Sequence, residues 1–137
     1  MNPELRREIR DLGLVGGGAI PGALLRWKLE TIGHALAGGL LRGAVSAEFL
    51  ANMIGCLLIG LVVAVGPGRA RFVLAVGIGF CGSLTTFSSW MLELAKALQA
   101  GESLGALSVL LVSLIGGLAL VSAGYAIGQG LQRRRLG

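Results

Sequence analysis

Twelve consecutive residues carry the densest chemistry in this sequence: Gly79-Phe-Cys-Gly-Ser-Leu-Thr-Thr-Phe-Ser-Ser-Trp90. Glycines, hydroxyls and two aromatic rings stand together inside an apolar segment long enough to cross a bilayer. A plain lipid anchor needs none of them. Asn52 adds a single amide to another apolar segment, and Ser108 and Ser113 add hydroxyls to the last one. An unpaired amide in hydrocarbon is costly, so Asn52 must face protein, water or a solute. Any one serine or threonine on a helix commonly bonds back to its own backbone. The cluster around the glycines is therefore the signal, not any single hydroxyl.

Phe87 and Trp90 are three apart and share a helix face. A ring edge carries the positive part of the aromatic quadrupole. Amide and hydroxyl donors beside ring edges, with no fixed deep cation, suit a small and strongly hydrated anion. A permanent countercharge would hold such an ion too tightly, because conduction requires moderate binding at several sites. Gly77, Gly79 and Gly82 permit an interruption of the helix, and carbonyls freed at a break can coordinate a cation such as Na+. Catalysis has no comparable support. The sequence has one histidine and lacks HExxH, GxSxG or clustered carboxylates, so it does not read as an enzyme.

The elements that must position these residues follow from composition. The chain has 137 residues, enough for one domain, with 54% hydrophobic and 14% charged residues. With a mean hydropathy of +0.80, that places it in the membrane class. Its 24 glycines are far more than a soluble bundle uses, and small residues let membrane helices approach closely. The net charge of +5 comes from arginines clustered beside apolar segments, which fits membrane flanks and not nucleic acid. Cys56 and Cys81 read as buried small hydrophobes, with no disulfide or metal spacing. The charged start, Met1 to Asp11, shows no pattern of a cleavable signal.

We read an all-α membrane protein with four transmembrane spans in one domain, at about 12–27, 48–65, 72–98 and 104–127. The first carries Gly13/Gly17, Gly18/Gly22 and Ala19/Ala23 at spacings of four, which form a small-residue face. Pro21 bends it. Arg26-Trp27-Lys28 ends it at an interface, where cations snorkel. Residues 30–47, with His34 and Arg42, form a connector. Gly66-Pro-Gly68 makes a tight turn into the third span. That span exceeds the roughly 30 Å hydrocarbon core at about 1.5 Å per residue, so we expect it to be broken near its middle. Ser113/Gly117 and Gly124/Gly128 repeat the small-residue spacing in the last span.

Four spans put both termini on one side. The terminal side would hold Arg6, Arg7, Arg10, Arg69, Arg71 and Arg133 to Arg135, and the other Arg26, Lys28, Arg42 and Lys96. That bias favours termini in the cytoplasm.

Three stretches then resemble one family, the Fluc (CrcB) fluoride channels: Gly22-Ala-Leu-Leu-Arg26, Asn52-Met-Ile-Gly-Cys-Leu-Leu-Ile-Gly60 and Gly79-Phe-Cys-Gly-Ser-Leu-Thr-Thr-Phe-Ser88. The third is highly specific, and the likeness covers essentially the whole chain. The resemblance implies antiparallel dimers of four-helix subunits, homodimers of dual topology or a subunit with a paired homologue, in a bacterial plasma membrane. It implies passive fluoride export through two pores and a structural Na+ at the dimer centre. By position, Asn52 is similar to the pore asparagine, and Phe87 to the first phenylalanine of the aromatic box. Trp90 stands where the second phenylalanine is usual. Ser113 is similar to a polar-track residue on the fourth helix, whose next position is Gly117. Glu93 resembles a glutamate lining the pathway, and Arg26 an arginine near the vestibule. Glu48 stands where a threonine is usual. The carbonyls of Gly82 and Thr85 would be the Na+ ligands, one pair from each subunit.

Two other classes are open to the sequence. A small proton-coupled multidrug or cation transporter also has four helices, but wants a carboxylate deep in the first span, and Leu12 to Leu25 has none. A membrane assembly subunit without transport would explain the glycines, but not the cluster at Gly79 to Trp90.

Overall fold

The computed structural model describes residues 2–36, 47–65 and 67–136, and these contain helices and turns without a strand. Helix α1 spans Pro3–Leu36 and α2 spans Ala47–Ala64. A 3-10 turn at Pro67–Arg69 leads into a third helical path. This path comprises α3 (Ala70–Phe72), a π-helical stretch (Val73–Cys81) and α4 (Gly82–Leu84). Helix α5 follows at Ser88–Gln99, and α6 at Ser103–Leu136. Two segments, Ala70–Gln99 and Ser103–Arg134, are long and apolar enough to cross a membrane, and Glu48–Ala64 is a shorter apolar helix. Arg42 of the connector lies outside the described residues, as does the side chain of His34.

Hydropathy and helix length diverge at the ends. Helix α1 begins well before the apolar stretch and runs past Arg26-Trp27-Lys28. Its 34 residues reach about 51 Å at 1.5 Å per residue. Backbone hydrogen bonds do not stop where side chains become polar; only the lipid boundary does. The helix also continues through Pro21.

Glycines set the packing. A side chain at Gly18 would strike the carbonyl of Ala75, and one at Gly79 would strike the carbonyl of Val15. The backbones of α1 and the π-helical stretch thus lie directly against each other. Gly22 continues the contact, meeting the Phe80 carbonyl and the Ser83 hydroxyl. Helices α2 and α6 are joined in the same way, with Gly60 against the Val121 carbonyl and Gly124 against the Leu57 carbonyl. Without a hydrophobic drive between helices in lipid, such close approach supplies dispersion contact that larger residues would prevent. At the far end Gln132 Nε2 donates to the Ala64 carbonyl at 2.7 Å, satisfying an orphan acceptor in the last turn of α2.

The helical path ends at Leu84. Thr85 is extended, with φ −79° and ψ 150°, and helical structure resumes at Ser88. The glycines do not form the non-helical residues: Gly77 and Gly79 are used for packing, and a β-branched threonine, at ease in extended backbone, departs from the helix instead. Helix α5 then rests on α6 through Trp90, Leu94 and Ala106, with Ala97, Val109 and Leu110 beside them. It closes in a Schellman motif: Glu102 N–H donates to the Ala97 carbonyl at 2.9 Å and Gly101 N–H to that of Leu98 at 3.1 Å. Gly101, at φ 79°, takes the left-handed position such an ending requires.

Candidate anion pathway

The non-helical residues between α4 and α5 are held by one amide. Asn52 Oδ1 accepts from Thr86 N–H at 2.8 Å, and Asn52 Nδ2 donates to the Thr86 carbonyl at 2.9 Å. The side chain thereby stands in for the helical partners of both backbone polar groups of one residue. One turn along α2, Gly55 is open enough to receive the Thr85 methyl group. The spacing of Asn52 and Gly55 therefore has a structural meaning: one grips Thr86 while the other makes room for Thr85. An amide nitrogen has two hydrogens, so one Nδ2 donor remains after the Thr86 bond.

Other bonds steady the same region. Thr85 donates both its N–H and its hydroxyl to the Cys81 carbonyl at 3.0 Å. Ser83 Oγ lies 2.9 Å from the Ala19 carbonyl and 3.1 Å from that of Phe80, tying α4 to α1. Thr86 Oγ1 accepts from Ser89 N–H at 3.4 Å, capping the start of α5. The positive end of the α5 dipole thus adjoins these residues. Helix ends leave carbonyls without intrahelical partners. Here the carbonyls of Cys81, Thr86 and Phe87 accept from Thr85, Asn52 and Met91.

A groove of about 370 Å³ opens at this point, and Asn52, Thr85, Phe87, Trp90 and Ser113 line it. The remaining lining residues are Met53, Gly55, Cys56, Ile59, Thr86 and Leu114, so none of its described lining residues is charged. The two rings differ sharply in exposure. Phe87 is 72% exposed, whereas Trp90 is 8% exposed. Their centroids are 5.9 Å apart with planes at 52°, a tilted arrangement and not a parallel stack. A larger cavity, about 450 Å³, lies at the other end of α2 beside Arg69, Phe72 and Gln132. It holds none of the polar set gathered here.

The structure thus gathers Asn52, Phe87, Trp90, Ser113 and Thr85. Arg26 is elsewhere, on α1, where Nε lies 3.6 Å from Glu30 Oε1 in an i,i+4 pair. Gly82 is exposed, with nothing within 4 Å of where a side chain would begin. Glu93 belongs to α5, but its side chain lies outside the described residues. Sequence reasoning did not anticipate the part of Thr86, whose backbone N–H and carbonyl are the partners of Asn52. It also passed over Glu30, which a four-residue spacing from Arg26 signals.

Comparison with known proteins adds a lineage to this geometry. The family described as "CrcB-like protein, Camphor Resistance (CrcB)" matches residues 13–125. The chain is 42% identical over 130 residues to the fluoride-specific ion channel FluC 2 of Synechococcus sp. (strain CC9605), covering 95% of this chain and 89% of that protein. It is 44% identical over 128 residues to FluC 2 of Parasynechococcus marenigrum (strain WH8102), covering 93% and 88%. The same strain has a fluoride-specific ion channel FluC 1, 36% identical over 118 residues, covering 84% and 90%.

Proposed function

This chain belongs to the CrcB family, and on that footing we propose that it is a fluoride-selective channel of the plasma membrane and not an enzyme. The observation that carries the reading is a groove lined by an amide, hydroxyls and two aromatic rings, with no charged residue among its described lining. An ion entering it exchanges hydration for several partial charges, each too weak to trap it. The free Nδ2 hydrogen of Asn52 and the exposed edge of Phe87 are the first partners. The amino-terminal end of α5 favours negative charge in the same place. Glu93 and Arg26 would act at the ends of the passage. The names of the relatives support fluoride as the ion.

Direction follows from chemistry and not from a pump. Hydrogen fluoride crosses lipid as a neutral weak acid and dissociates inside, so a passive anion pathway lets the accumulated fluoride leave. The four segments would each cross the bilayer, the third as a broken helix with its gap at residues 85–87.

A single protomer leaves this groove open on one side, with Phe87 exposed. We take an antiparallel second subunit to complete it. A self-pairing, dual-topology chain needs little charge bias, whereas this sequence places eight cations on one side against four on the other. A paired homologue in the opposite orientation accommodates that bias, and the numbered pair of channels in one relative's strain is consistent with it.

The Gly82 and Thr85 carbonyls suit a hard, oxygen-preferring cation such as Na+. Groups of three or more metal-binding side chains are absent among the described residues, so any site here would rely on the backbone. Two carbonyls are half a shell, and the matching pair would come from the second subunit. Bound Na+ would supply fixed charge between subunits.

Growth of a fluoride-hypersensitive bacterial strain tests the function. Expression of the chain should restore growth in millimolar-range fluoride medium, and chloride tolerance should not change. Undiminished fluoride sensitivity with the protein present in the membrane would oppose the reading.

A further inference from the structure

Two buried side-chain polar atoms lack a hydrogen-bond partner among the described residues: Trp90 Nε1 and Ser113 Oγ. Both residues line the groove. Their isolation differs from the behaviour of comparable groups. On the same helix, Ser108 Oγ donates to the Leu104 carbonyl at 2.8 Å and Ser122 Oγ to the Leu118 carbonyl at 2.9 Å. That back-bond is the default for a helical serine. Ser113 makes no such bond. Trp90, 8% exposed, forms a buried cluster with Leu94 and Ala106 against which Val109 and Leu110 pack, and these two lie one turn before Ser113 on α6. The two unsatisfied groups therefore share one region of the groove wall.

Buried polar groups are ordinarily paired, and an indole nitrogen can only donate. The missing partner is therefore an acceptor. We propose that Trp90 Nε1–H and Ser113 Oγ–H form a two-donor subsite for fluoride, so that Trp90 meets the ion through a hydrogen bond and not through a ring edge. This rests on the fluoride-channel reading and adds a specificity device to it. A compact anion accepts strong hydrogen bonds from closely set donors, whereas a larger halide spreads the same charge and accepts weaker ones. The subsite would thus reward fluoride over chloride without a cation.

The sequence contains two tryptophans, so Trp27→Phe, on the exposed part of α1, leaves Trp90 as the single indole. The assembled Trp27→Phe protein, ¹⁵N-labelled and reconstituted in lipid nanodiscs, is titrated with NaF or NaCl at constant Na+ and ionic strength. Its liposome fluoride flux is measured in parallel. We expect a saturable downfield movement of the Trp90 indole proton with fluoride, none with chloride, and a weaker response in Ser113→Ala. Trp90→Phe, which keeps a ring, should lower flux about tenfold, the equivalent of one charge-assisted hydrogen bond. An indole resonance indifferent to fluoride in a protein that conducts would overturn the subsite while leaving the channel. An equal response to chloride would overturn it too. Absence of flux from well-assembled protein would instead remove the fluoride reading on which it depends.

Discussion

The two sides of Thr85 are built by different means. Before it, the π-helical stretch and α4 lie backbone to backbone against α1, through Gly18, Gly22 and Gly79. After it, α5 rests on α6 through a layer of side chains, Trp90 and Leu94 on Ala106. The first arrangement is close and unforgiving, because an added methyl group meets main-chain atoms that cannot rotate away. The second leaves a groove and two unpaired donors. A fold that locks one half with glycines can leave polar groups incompletely satisfied in the other. Assembly and ion handling are thereby assigned to different residues, and substitutions should separate them.

The largest effect should come from the locked contacts. Gly18→Val drives a side chain into the Ala75 carbonyl and towards Phe80 N–H. Overpacking of this kind costs about 1–3 kcal/mol, and more where backbone must move. We expect loss of most of the monodisperse protein on size exclusion, with Gly130→Ala, which meets nothing within 4 Å, behaving as wild type. Normal assembly of the valine variant would break the comparison at its first term.

Asn52 stands where the two regions meet, and its replacement should harm both properties. Asn52→Leu leaves the Thr86 N–H and carbonyl without their partner, at about 1–3 kcal/mol for each buried group. Asn52→Asp retains the acceptor for Thr86 N–H and loses both donors, so it should unfold less readily than the leucine variant. Both should abolish fluoride flux. Thermal stability followed by fluorescence-detected size exclusion gives the ranking wild type, Asp, Leu; an unaltered midpoint in the leucine variant would deny Asn52 its structural share.

Phe87→Ile sharpens the contrast from the other direction. With its ring 72% exposed and resting on Trp90, the change should alter subunit stability by no more than about 0.5 kcal/mol. Flux should nevertheless be strongly suppressed. Gly101→Ala is the mildest case: a side chain at φ 79° costs about 1 kcal/mol, seen as a small drop in thermal midpoint with flux unchanged.

Much of the helical order was legible in sequence because apolar length and flanking arginines announce it. The ends were not. Hydropathy reports the lipid boundary, while α1 keeps its hydrogen bonds through charged residues from Pro3 to Leu36. Gly77, Gly79 and Gly82 were read as permitting a break; Gly77 and Gly79 pack closely, Gly82 begins the short α4, and Thr85 leaves the helix. That choice depends on what α1 presses against, which one segment cannot disclose. Asn52 was legible as a polar residue needing a partner. Its partners, the backbone N–H and carbonyl of a residue 34 positions away, became available only because the helix ends where it does. Trp90 and Ser113 were visible as residue types, but the isolation of their polar atoms arises from packing and rotamer. Arg26 shows the converse: motif position assigned it to the vestibule, and its own helix supplies the neighbouring carboxylate.

The central claim is that the groove beside Asn52 and Phe87 conducts fluoride. Proteoliposomes loaded with equal fluoride and chloride, in Na+-containing buffer, test it directly when efflux of each ion is followed with its own electrode. The account predicts rapid fluoride release, chloride release no faster than from empty vesicles, and fluoride release lost in Phe87→Ile protein of normal assembly. Fluoride efflux equal to that of empty vesicles, or chloride efflux matching fluoride, would contradict it.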